Sequence, residues 1–80
     1  MYHLLQSGQV YYLVQCGTLE GAIKRLSLIG RHPDSINVMC SYNQLEELRE
    51  RVFKTGNSVD YWKRHLGTKG YTEVQRYHIH

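Results

Sequence analysis

The side chains of this sequence with a capacity for covalent or metal chemistry are its five histidines, its two cysteines and the serines Ser7, Ser27, Ser35, Ser41 and Ser58. His78 and His80 alternate along a strand-like tail, so they would point the same way. A zinc site wants about four N, S or O ligands in a tetrahedral array, and no CxxC or HxxxH spacing supplies the others. Cys16 and Cys40 make no disulfide framework and read as small buried apolar residues. An acyl-transfer nucleophile needs a base and a third group that orients the base. Each serine already has a turn, capping or surface role. Gly67-Thr68-Lys69-Gly70 precedes a strand, whereas a phosphate loop opens a helix. What remains is a ribonuclease-like set, His65 with Lys63, Arg64 and a tyrosine, recognisable by geometry and not by spacing. No catalytic residue, metal or cofactor is assigned from the sequence.

Two groups of residues suit binding better than catalysis. Tyr2, Leu4, Tyr11 and Leu13, with Gln15 and other glutamines at their rim, share one face of a hairpin and carry no charge, the composition of an interface core. That face is expected to meet solvent and dock on another protein or on a second copy of the chain. The competing expectation is that something crosses it and makes a second small core. The other group is basic. The chain carries net charge +3, and all of it falls in the last twenty residues. Lys63, Arg64, Lys69, Tyr71 and Arg76, interleaved with Tyr61, Trp62 and Tyr77, suit RNA or DNA, cations on phosphates and rings on bases. Trp62 also belongs to the apolar stripe of a helix, which argues for core.

The elements that must position these residues follow from local signals. Tyr2–Gln6 and 9–15 flank Ser7-Gly8, a two-residue turn. That turn would pair Gln6 with Gln9, Leu5 with Val10, Leu4 with Tyr11 and His3 with Tyr12. Period-2 alternation then puts His3, Leu5, Val10, Tyr12, Val14 and Cys16 on the opposite face, the better core candidate because β-branched residues fit a packed pleat. Thr18 caps a helix whose Leu19, Ala22, Ile23, Leu26 and Ile29 form one stripe, ended by Gly30 and Pro33. Ile36–Cys40 reads as a mostly buried strand with Ile36, Val38 and Cys40 on one face. Asn43 with Glu46 makes a capping box ahead of Leu45, Leu48 and Val52. Ser58 caps a third helix with Val59, Trp62 and Leu66, and residues 71–80 are strand-like.

The order is ββαβ(αα)β: an α+β open-faced sandwich with an N-terminal hairpin and two to three helices packed on one sheet face. Eighty residues allow a single domain, 1–80, with one thin core and little room for a substrate cavity. The uncharged stretch at the start is too polar to span a bilayer, which needs about 20 predominantly apolar residues, and lacks the pattern of a signal peptide. A cytoplasmic protein without a membrane partner is expected. The functional expectation is a small non-enzymatic protein-binding module. Its size and layout suit an inhibitor of the kind phages and mobile elements direct at host nucleic-acid machinery, such as CRISPR effectors or RNA polymerase. The alternatives are a basic nucleic-acid-binding protein and a small ribonuclease.

Overall fold

In the computed structural model, which describes residues 1–79, Gly8 decides how the hairpin closes. Strands β1 (Tyr2–Ser7) and β2 (Val10–Gln15) meet with Ser7 opposite Val10, so the turn residues are Gly8 and Gln9. Gly8 takes φ +62°, and no non-glycine described residue has positive φ. Glycine in the first central position is the II′ arrangement that matches strand twist. The turn expected at Ser7-Gly8 would have put Ser7 there instead. The register therefore differs by two residues from the expected one: Leu5 faces Tyr12, Leu4 faces Leu13 and His3 faces Val14. A shift of two keeps every side chain on its expected face.

Helix α1 (Leu19–Leu28) starts where Thr18 Oγ1 accepts the Gly21 N–H at 3.0 Å, and the chain turns at Gly30 with φ +92°. A short 3-10 turn, Pro33–Ser35, leads into β3 (Ile36–Tyr42). Helix α2 (Leu45–Val52) follows, with Gln44 at its N-cap and no side-chain capping bond. The expected Asn43 box does not form. Burial of Leu45 and Leu48 fixes this helix in place of a cap. Helix α3 (Val59–Leu66) is capped as expected, Ser58 Oγ accepting the Tyr61 N–H at 3.3 Å. The tail forms only a four-residue strand, β4 (Tyr71–Val74), then a 3-10 turn Arg76–His78 and a bridge between Ile79 and Phe53. His80, the second of the alternating histidines, lies outside the described residues.

The fold is α+β: an open four-stranded antiparallel sheet in the order β3-β1-β2-β4, with the N-terminal hairpin at its centre. Two helices, α2 and α3, share one sheet face. Leu45, Leu48, Trp62 and Leu66 pack there on Leu4, Leu13 and Val74, with Phe53. The third helix, α1, takes the opposite face, where Ala22 and Leu26 meet Leu5, Tyr12 and Val14. Three amphipathic stripes thus have a two-sided sheet to cover, and both of its faces are apolar.

Strand β3 departs from expectation. It lies at an edge of the sheet, and its register against β1 slips between Leu4 and Leu5, so that Val38 faces Leu5, Cys40 faces Leu4, and Met39 is the extra residue. This β-bulge puts Val38 and Cys40 on opposite faces, where strict alternation had placed them together.

Candidate interaction surfaces

The uncharged hairpin face is core. Leu4 is 1% exposed and Leu13 0%, both beneath α2 and α3, while Tyr2 and Tyr11 are half-buried at the border of the same cluster. Gln15 is exposed, and its backbone serves the fold: its N–H donates to the Gly70 carbonyl, and its own carbonyl accepts from Arg25. The reason is the hydrophobic effect. The apolar stripes Leu45/Leu48 and Trp62/Leu66 need an apolar surface, and Leu4 with Leu13 supplies one, about 2 kcal/mol for each such side chain taken out of water. Leu4 and Leu13 are therefore closed to a docking partner, Tyr2 and Tyr11 border the same core, and Gln15 stays open.

The surface that the sheet leaves free is its β3 rim. Among the described residues the strand has a partner on one side only, β1, and its seven residues INVMCSY include no charge and no proline. Val38 is 45% exposed and Met39 47%. Edge strands are usually blunted by charge, proline, brevity or a bulge, and β3 carries only the bulge. The opposite rim is protected: β4 is four residues long, contains Glu73, and runs into the 3-10 turn and the Phe53–Ile79 bridge. Sequence reasoning missed the β3 rim because burial of a strand depends on its neighbours. The missing charge in 36–42 was the one local sign.

The basic group is divided by the fold. Lys63 and Arg64 are exposed together on α3, and Lys69 is exposed in the turn before β4. Tyr71 packs in the α1 cluster, on the other side of the sheet from α3. Arg76 lines a separate cleft of about 350 Å³ with Gln9, Val10, Glu73, Val74 and Gln75. What α3 gathers instead is a layer of rings. Trp62 stacks on Phe53 at 4.4 Å and meets Tyr61 edge-on at 5.2 Å; Tyr61 meets His65 at 4.3 Å. His65 and His78 flank Trp62 at 5.8 and 5.4 Å, and Tyr77 adjoins His78 at 4.5 Å. A shallow cleft of about 230 Å³ opens between Tyr61, Arg64 and His65. Among the described residues, Trp62 Nε1 and His78 Nδ1 are buried without a hydrogen-bond partner, as is Arg49 Nε; each such group costs about 1–3 kcal/mol.

The nearest approach to catalytic geometry is His3. Its Nδ1 lies 2.7 Å from Ser41 Oγ and its Nε2 3.2 Å from the Cys16 carbonyl. A carbonyl can only accept, so Nε2 carries the proton and Nδ1 accepts the Ser41 hydroxyl. This resembles a nucleophile, base and orienting group, yet neither cleft includes His3 or Ser41, and the ring is 1% exposed. It is a satisfied core histidine that ties β1 to β3 and to the link between β2 and α1. Burial pushes its imidazole below the ordinary 6.5; the Cys16 carbonyl pulls upward, and the nearby N-terminal ammonium lowers it further. The folded chain thus holds His3 neutral where the unfolded chain binds a proton. Stability from this group is complete above pH 6.5 and declines as pH falls from there towards the folded value. Urea midpoints for the wild type should drop between pH 7 and 5 more than those of His3→Phe, and equal drops would exclude the assignment. Burial likewise pushes the Cys40 thiol up, which disfavours the thiolate form. Among the described residues no three His, Cys, Asp or Glu side chains gather as a metal site, and no helix is long and apolar enough to cross a membrane. Comparison with protein-family models, with curated proteins and with solved structures finds no match for this chain.

Proposed function

We propose that this chain is a non-catalytic protein-binding module that accepts an extended segment of its partner as a fifth strand along β3. The observation that carries the reading is the uncharged, seven-residue free rim Ile36–Tyr42. Strand addition supplies main-chain hydrogen bonds for affinity, with side-chain positions on alternate faces for choice of partner. Val38 and Met39 would make the first apolar contacts. A module of this kind acts by occupancy, as an inhibitor of nucleic-acid machinery from a mobile element would, and needs no pocket.

The experiment pairs two surface variants. Tagged wild type, Val38→Lys/Met39→Lys and Lys63→Glu/Arg64→Glu are used to recover partners from nuclease-treated lysate of the native host. The purified partner is then added for amide hydrogen exchange. The rim variant is expected to lose the partner at least tenfold while the α3 variant keeps it, and new protection should appear along 36–42. A partner that survives the rim variant, or protection mapped elsewhere, overturns the proposal.

A further inference from the structure

We infer that the outer face of α3, with the 3-10 turn Arg76–His78, is a site for single-stranded nucleic acid, in which rings stack on bases and cations hold the intervening phosphates. It is a second site, on a sheet face remote in sequence from the β3 rim, and does not depend on strand addition there.

Two independent observations meet at this face. The first is the ring layer. Tyr77 is 74% exposed and adjoins His78, while Tyr61 and His65 stand edge-on to one another at the cleft shared with Arg64. His65 and His78 flank the same Trp62 ring, so the two platforms belong to one continuous layer. Flat exposed rings on a basic surface are the means by which single strands are held without sequence preference, because every base has a π face.

The second is charge without partners. Lys54, Lys63 and Arg64 are exposed, and among the described residues the one ion pair is His32 with Asp34. The helix dipole accounts for basic residues in the last turn of α3. It does not account for Lys54, which precedes the helix and donates its backbone N–H to the His78 carbonyl at 2.8 Å. Unpaired cations beside rings are free to displace counterions from phosphates.

A duplex fits less well, since its bases are stacked on each other and unavailable to Tyr77. An acidic peptide satisfies the cations and leaves the rings idle.

Trp62 is the sole tryptophan of the chain and lies inside the ring layer, so its emission reports on the site. Wild type and variants are titrated with a twelve-nucleotide oligo(U), the same length of oligo(dT), a twelve-base-pair duplex and poly-glutamate, each at two salt concentrations. Single strands of either sugar are expected to quench Trp62, with affinity falling as salt rises. Tyr77→Ala should weaken single-strand binding about tenfold, from the loss of one stacked base. Lys63→Glu/Arg64→Glu should weaken it further and reduce the log–log salt slope by about 1.4, for two lost phosphate contacts. Two controls should bind as the wild type does: Lys24→Glu, which changes net charge on α1, and Val38→Ser/Met39→Ser, which alters the β3 rim without changing the charge. All six substituted residues are exposed, so circular dichroism should be unchanged. Absence of binding, equal binding of the duplex or poly-glutamate, or an equal loss in Lys24→Glu overturns the inference.

Discussion

Leu13→Asp is expected to unfold the chain outright. The residue is 0% exposed, at the centre of the sheet and beneath α2 and α3. An isolated carboxylate there would neutralise or draw in water, and either route costs several kcal/mol. Domains of this size hold about 5–10 kcal/mol against unfolding. Leu13→Ala, which loses contacts without adding charge, should cost about 2–5 kcal/mol and leave a folded, weakened chain. Tyr11→Asp, at the half-buried border of the same cluster, should cost less than Leu13→Asp. The measurement is far-UV circular dichroism with urea titration. A folded Leu13→Asp that had only lost a partner would mean that α2 and α3 do not cover this face, and that the hairpin surface is an interface after all.

The second large effect is at Trp62. Its ring is 2% exposed, stacks on Phe53 and touches Tyr61, His65 and His78. Trp62→Ala empties the largest fully buried side chain and should cost about 3–5 kcal/mol. Trp62→Phe keeps the stack on Phe53 and removes a buried N–H that has no acceptor. The loss of ring volume is then partly offset by relief of that unsatisfied donor. We expect Trp62→Phe to cost under half as much as Trp62→Ala in thermal or urea unfolding. Equal costs would mean that the indole nitrogen is satisfied in solution.

The contrast between these sites shows which parts of the fold were legible in the sequence. Thr18 and Ser58 could be placed as caps because a cap is settled within four residues. The sorting of Leu4 and Leu13 from Leu5 and Val14 was also legible, since strand parity survives an error of two in register. Which face each helix would cover was not, because α1, α2 and α3 are all amphipathic and nothing local assigns them. The bulge at Met39 was invisible for a similar reason: a bulge belongs to a pair of strands, and the partner of β3 lies some thirty residues earlier. The α3 site was half legible. Lys63 and Arg64 announced a basic surface. The contact of His78 with Trp62 needed the tail to fold back, and Tyr71, read with that group, went to the other face.

Covering both faces of the sheet has a consequence for how such a chain can change. Side chains that point to either face near the hairpin are spoken for by one core or the other, so altering them carries a penalty in folding. Val38, Met39, Arg64 and Tyr77 stand outside both cores, and surface substitutions of that kind usually change stability by no more than about 0.5 kcal/mol. The rim and the α3 face can therefore be rewritten one residue at a time with little effect on stability. A lineage under pressure to follow a changing target would find its adaptable positions there, on a scaffold whose interior stays constant.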